Sequence, residues 1–153
     1  MYTKEEYAKD CQIHNDMRRL VDSDVNRLNY HLMAPAGWLN DPNGLVEKNG
    51  INHVYFQYTP FDAGWGIKSW GHYTTKDWLT YKEEEPFIFA DNRLDRDGAY
   101  SGSAIVKYGI IQYFYTGNVK LLDGDYDYIN EGRETSTLHV ESEDGIHLGD
   151  KEE

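Results

Sequence analysis

Residues 38–59 read WLNDPNGLVEKNGINHVYFQYT, and their reading decides the fold class. Asn49-Gly50 is a dipeptide favoured in two-residue hairpin turns, where both central positions need positive φ. The flanking runs, 45–48 and 51–59, are rich in β-branched and aromatic residues and read as the two strands of a hairpin. Ahead of the hairpin stands Trp38-Leu39-Asn40-Asp41-Pro42-Asn43-Gly44. Pro42 fixes φ, removes a backbone donor and drives Asp41 away from α conformations. Asn43-Gly44 reads as a turn, so the strand is expected from residue 45 onward. Asp41 is then a carboxylate held at a rigid strand entrance, with Asn40 as a donor beside it and Trp38 as an apolar wall. A sugar site needs those parts. Asp-Pro turns that merely start a strand are common, and that plain alternative stands beside the functional one.

The hairpin pattern recurs along the chain. Residues 70–75 predict a third strand, Lys76-Asp77 its turn and residues 79–84 a short fourth, with Pro86 closing the unit. Residues 103–108 and 110–116 predict a second hairpin about Gly109. Residues 135–141 predict the next strand, Glu143-Asp144-Gly145 its turn and 146–149 the start of another. Tyr55-Phe56-Gln57-Tyr58 matches Tyr113-Phe114-Tyr115-Thr116, and Lys76-Asp77 matches Glu143-Asp144. Two repeats of one four-stranded antiparallel unit are inferred. Such units, recurring at this spacing, are the mark of propeller blades. An eight-stranded β-sandwich is the alternative. The chain is therefore all-β.

Before these strands, residues 3–28 predict one amphipathic helix. Thr3-Lys4-Glu5-Glu6 matches a capping box, and Tyr7, Cys11, Met17, Leu20, Val21, Val25 and Leu28 fall mostly three or four apart. The expected organisation is a helical segment over 1–29 and a β domain over 30–153. The 153 residues are enough for one domain with a core, and they include 13 Tyr, 5 Phe and 4 Trp. A net charge of −12 argues against nucleic acid or an anionic membrane as partner. The lone cysteine, Cys11, cannot form an internal disulfide. The six histidines show no metal-ligand spacing, and no apolar run approaches the ~20 residues of a membrane span. No metal or other cofactor is expected. The N-terminus lacks the basic and apolar regions of a signal peptide, so the expected location is the cytoplasm.

Further motifs follow the heptapeptide in order: Phe56-Gln57-Tyr58-Thr59-Pro60, Trp65-Gly66, Trp70-Gly71-His72, Thr75-Lys76-Asp77, Tyr100-Ser101-Gly102-Ser103-Ala104 and Tyr115-Thr116-Gly117-Asn118. Together they resemble the N-terminal part of glycoside hydrolase family 32, which holds invertases, sucrose-6-phosphate hydrolases, inulinases and levanases. The resemblance covers roughly residues 29 to 150. It implies about two blades of a five-bladed β-propeller, with the active site in a funnel at the propeller axis. It implies Asp41 as the nucleophile, Asn40 as a ligand of the fructosyl hydroxyls, and Gln57, Trp65, Tyr100 and Ser101 as substrate-binding residues. Trp38 would add an apolar wall. The implied partner is a small carbohydrate such as sucrose or sucrose 6-phosphate. Bottom-up chemistry agrees, because a retaining glycosidase needs a fixed carboxylate nucleophile and a second carboxyl group ~5 Å away.

The departures are equally informative. The family's second aspartate lies in Arg-Asp-Pro and its acid/base glutamate in Glu-Cys, and neither string occurs in this sequence. Arg96-Asp97-Gly98 lacks the proline and precedes Tyr100-Ser101, so it reads as loop. The chain alone is expected to be inactive, and to associate with itself or with the remaining blades. Asp123-Gly124-Asp125-Tyr126-Asp127 looks like a calcium loop but lacks the rest of an EF-hand pattern, so it reads as an acidic loop. Against the hydrolase reading stands a non-catalytic fructoside-binding module. The Asn-Asp-Pro-Asn-Gly string argues against transfructosylases and arabinanases of related propeller families.

Overall fold

The computed structural model describes residues 1–64, 66–121 and 132–153. Two short helices, α1 (Lys4–Ile13) and α2 (Asn15–Ser23), precede seven strands: β1 (Trp38–Lys48), β2 (Ile51–Thr59), β3 (Ser69–Thr75), β4 (Lys82–Glu83), β5 (Ala99–Lys107), β6 (Ile110–Lys120) and β7 (Arg133–Ser142). The strands form two antiparallel sheets, β1-β2-β3-β4 and β5-β6-β7. Two hairpins turn where the sequence predicts. Asn49 and Gly50 have φ of 53° and 76°, and Tyr108 and Gly109 have 52° and 81°, the paired positive φ that makes the turn twist with its strands. The tips also touch, through the Lys48 ammonium and the Gly109 carbonyl.

Three expectations need correction. The heptapeptide does not precede β1 but lies inside it, so Asn43-Gly44 is no turn. The expected fourth strand over 79–84 shrinks to Lys82–Glu83, because Asp77 Oδ1 accepts from the backbone N–H groups of Leu79 and Thr80 (2.9 and 2.8 Å) and curls that stretch into a side-chain-capped loop. The strand expected over 146–149 is likewise replaced. Asp144 Oδ1 captures the N–H groups of Ile146 and His147, and the chain returns to β7 through Gly149 N–H donating to the Glu141 carbonyl and a bridge between His139 and Glu152.

The single amphipathic helix is also corrected. The capping box forms as expected, with Glu6 N–H donating to Thr3 Oγ1 and Thr3 N–H donating to Glu6 Oε2. At His14 the helix breaks, and His14 stacks on Phe61 with ring centroids 5.1 Å apart. Only Tyr7 is buried, against Phe61 and Phe89. In α2 no residue is buried. Leu20 and Val25, placed on the expected apolar stripe, are 71% and 96% exposed. The helical segment is held by Tyr7 and by ion pairs such as Arg18–Glu83, not by an apolar face.

The two sheets meet through one core of aromatic and aliphatic residues. Tyr55, Trp70, Phe87 and Ile88 come from the first sheet and the segment after it, and Ile111, Tyr113, Tyr115, Leu138 and Val140 from the second. Across it Tyr55 and Tyr113 face edge to face, 5.4 Å apart. Tyr55 OH donates to the Gly145 carbonyl at 2.8 Å and lies 2.7 Å from Tyr113 OH. Beside them His53 and His72 stack, with Nδ1 of the first 3.1 Å from Nε2 of the second. The far face of the first sheet is covered by Val54, Phe56, Tyr58 and Tyr73 packing with Leu32, Ala34, Leu39 and Tyr81. Among the described residues nothing closes the far face of the second, where Ile105 is 58% and Phe114 42% exposed.

A buried ion pair ties the end of the described chain to the link between the sheets. Lys151 Nζ lies 2.8 Å from Asp95 Oδ2 and 2.6 Å from Asp91 Oδ1. Tyr115 OH donates to the same Asp95 oxygen, and Asn92 N–H donates to the other. These hydrogen bonds are what allow the Asp95 carboxylate to be fully buried.

Candidate active site

The site is built by two matching irregularities. Leu39 pairs with Tyr58 and Pro42 with Phe56, so β1 spends three steps where β2 spends two. Asn40 and Asp41 fall in that bulge, opposite Gln57. In the second sheet Ala99 pairs with Gly117 and Gly102 with Tyr115, again three steps against two. Tyr100 and Ser101 fall in that second bulge. A bulge leaves its extra residue out of the ladder and re-aims the side chain. Pro42, which cannot donate, is tolerated because β1 is an edge strand. A Cβ at Gly102 would overlap the Phe114 carbonyl and the Tyr115 Cα, so close approach of β5 to β6 requires glycine there.

The bulges bring the candidate residues together. Ser101 Oγ donates to Asp41 Oδ2 at 2.8 Å, across the two sheets. Gln57 Nε2 donates to the Ala99 carbonyl at 2.9 Å, one residue before Tyr100. The Tyr100 carbonyl in turn accepts from Trp70 Nε1 at 3.0 Å. Asn40 and Asp41 are exposed, while Gln57 is buried and Trp38 and Tyr100 are half-buried. Among the described residues the Asn40 side chain makes no hydrogen bond, and the residue is exposed beside Asp41. Trp65, also expected here, lies outside the described residues, as does the acidic loop 123–127.

Two participants escaped the sequence reading. Lys68 is 4% exposed. Its ammonium sits 4.1 Å from the Trp38 ring centroid and donates to the Gly66 carbonyl and Thr59 Oγ1. The charge supports the indole from behind. Burial pushes this lysine below its ordinary value, with Asp62 partly offsetting the loss. Asn43 is the other. It is buried against Gln57, and only its place two residues after Asp41 could have marked it.

Arg96-Asp97 remains loop. Asp97 Oδ2 accepts from Lys120 N–H at 2.7 Å and lies 3.3 Å from Arg96 Nε, which closes the end of β6. Among the described residues no group of three or more His, Cys, Asp or Glu side chains could hold a metal ion. No described helix is long and apolar enough to cross a membrane.

Comparison with known proteins gives one family. A model of the glycosyl hydrolases family 32 N-terminal domain matches residues 31–151. Sucrose-6-phosphate hydrolase of Bacillus subtilis (strain 168) is 42% identical over 132 residues, 86% of this chain and 26% of that protein. Raffinose invertase of Escherichia coli is 43% identical over 120 residues, 78% of this chain and 24% of that protein. Among solved structures, sucrose-6-phosphate hydrolase from Lactobacillus gasseri superposes with a TM-score of 0.82 at 31% identity, over 97% of this chain and 30% of that one. The chain thus spans about a quarter of the length of the curated relatives it matches. With 121 of its residues under the family model, and the heptapeptide and Tyr100-Ser101 motifs meeting at one point, this chain belongs to glycoside hydrolase family 32.

Proposed function

We propose that this chain supplies the nucleophile side of an active site that cleaves β-fructofuranosides, with sucrose or sucrose 6-phosphate as the substrate class. The observation that carries the reading is the 2.8 Å hydrogen bond from Ser101 to Asp41, made where two bulges meet. It leaves Asp41 Oδ1 as the oxygen to attack the anomeric carbon. As the bond to the leaving oxygen breaks, a second carboxylic acid protonates that oxygen. The same group then takes a proton from water, which releases the sugar from Asp41 with retention. The tertiary anomeric carbon of a ketoside supports the cationic transition state, and a fixed carboxylate stabilises it further. Asn40, Gln57, Trp65, Tyr100 and Ser101 bind the fructosyl unit, with Trp38 as a wall held by Lys68.

The two sheets are read as successive blades of a five-bladed propeller, and the far face carrying Ile105 and Phe114 as the seat of the next blade. The register supports this after one adjustment. In blades stacked in one sense, matching residues point the same way. Tyr55 and Tyr113 point at each other, so they are not the matching pair; the repeat instead pairs Phe56 with Tyr115 and Tyr58 with Gly117, the offset at which both turns and both bulges coincide. The helical segment 1–29 then caps the β domain 30–153. A phosphorylated disaccharide is charged and does not cross a bilayer unaided, so a cytoplasmic location goes with this reading.

The test replaces the first quarter of Bacillus subtilis sucrose-6-phosphate hydrolase with residues 1–153. The chimera should hydrolyse sucrose 6-phosphate, and Asp41→Asn in it should lower turnover by about three orders of magnitude or more. Retention of a tenth of the activity would remove Asp41 from the role. The 153 residues alone should turn over no sucrose, since no Glu-Cys acid/base is present. Binding of fructosides without turnover by the chimera would favour a non-catalytic binding module instead.

A further inference from the structure

Gln57 has an amide whose two ends differ in what they can recognise. Its NH2 carries two N–H donors, and its carbonyl oxygen accepts. A free carboxamide can turn over and offer a ligand either end. Here both donors are committed. One reaches the Ala99 carbonyl at 2.9 Å. The other reaches Asn43 Oδ1 at 3.2 Å, in the Asn43 orientation that also accepts the Gln57 backbone N–H at 3.2 Å and donates Nδ2 to the Pro42 carbonyl at 3.2 Å. The opposite orientation would set the Asn43 NH2 against the donors of Gln57 and its oxygen against the Pro42 carbonyl, so burial selects the first. Among the described residues no donor meets Gln57 Oε1. Gln57 itself holds the strand position opposite the Asn40-Asp41 bulge.

We propose that Asn43 is a positioning residue that locks Gln57 as an acceptor, so that the ligand group meeting it must be a hydroxyl that donates. The inference rests on the reading that the site binds a fructosyl unit, and it adds a polarity requirement. An analogue with a non-donating group of similar size at that position leaves Oε1 facing it unpaired.

Two measurements on the 153-residue chain decide it. Nitrogen-edited NMR reads the two Gln57 Nε2 protons. Both should be protected from exchange with water, and Asn43→Ala should release one of them. Asn43→Asp gives up the donor to the Pro42 carbonyl but keeps the acceptor facing Gln57, and should keep the protection. Equal protection with Asn43→Ala, or rapid exchange of both protons in the unaltered chain, overturns the lock. If Asn43→Ala fails to fold, the unaltered chain and Asn43→Asp still decide. The second measurement uses methyl β-D-fructofuranoside and its singly deoxyfluorinated analogues, since fluorine replaces the hydroxyl without donating. One analogue should bind about tenfold more weakly, and Gln57→Met should abolish that difference. Equal affinity across the series overturns the donor requirement. Absence of binding by every fructoside overturns the sugar reading of the site and with it the ligand requirement, while the amide protection still decides whether Asn43 locks Gln57.

Discussion

Acidification should unfold this protein through a buried histidine pair before most of its carboxylates matter. His53 and His72 are both buried. One proton serves the 3.1 Å contact between His53 Nδ1 and His72 Nε2, and burial disfavours the charged form of both rings. Tyr55 stacks on His72 at 4.3 Å and Phe87 lies 5.7 Å away. Burial, with smaller contributions from His53 and Lys82, pushes His72 down to about 3. His53 is lowered as well by burial, with Asp144 and Glu84 acting against it. The unfolded chain takes up a proton near the ordinary histidine value of about 6.5, whereas folded His72 does not until about 3. Stability is therefore complete above about 6.5 and falls as pH drops through that window. At pH 5, about 1.5 units below the unfolded value, His72 alone accounts for a loss of roughly 2 kcal/mol. Urea denaturation at pH 7 and pH 5, followed by the fluorescence of buried Trp70, measures it. His72→Phe keeps the ring stack and removes the titration, so its loss between the two pH values should be smaller by about that amount. Identical losses in the two proteins would refute the reasoning.

Three further outcomes follow from the packing. Lys151→Met strands the buried Asp95 carboxylate without its cation and should cost about 3 kcal/mol or more in urea denaturation; a change within experimental error would mean that Tyr115 and Asn92 suffice. Gly102→Ala drives a methyl group into the Phe114 carbonyl, so it should destabilise by about 1–3 kcal/mol and weaken fructoside binding through Ser101; unaltered melting would show that β5 can move aside. The far face carrying Ile105 and Phe114 should make the isolated chain self-associate, seen by light scattering, and a monodisperse monomer at high concentration would speak against its being the seat of another blade.

Much of the β architecture was legible because its signals are local. Asn49-Gly50 and the Gly109 turn fixed two hairpins, and the runs 51–59 and 110–116 named two central strands. Family 32 was legible from strings of motif residues, confirmed by the match over residues 31–151. The bulges were not legible. Asn43-Gly44 looked like a turn because the dipeptide is common in turns, yet glycine at φ 47° serves equally inside a bulged strand. The helix was over-read for a related reason. Apolar spacing at Leu20 and Val25 reports a stripe, and only tertiary packing says whether anything covers it. Asp144 and Asp77 cut two expected strands short through side-chain hydrogen bonds to their own backbone, a competition that periodicity ignores. Asp41 meeting Ser101 needs two sheets to be placed, 60 residues apart in sequence, which no local pattern encodes.

The hydrogen bond from Tyr55 to the Gly145 carbonyl spans 90 residues, and this has a consequence during synthesis. At a ribosomal rate of about 5–20 residues per second, the donor is made roughly 5 to 20 seconds before its acceptor. Through that interval the first hairpin exists while the surface that will cover it does not. The inner face of that hairpin carries His53 and Tyr55, which keep a ring nitrogen and a hydroxyl available to water where leucine or phenylalanine would offer none. A nascent sheet of this composition can wait in contact with solvent, and lose that hydration only when the last turns of the second sheet arrive.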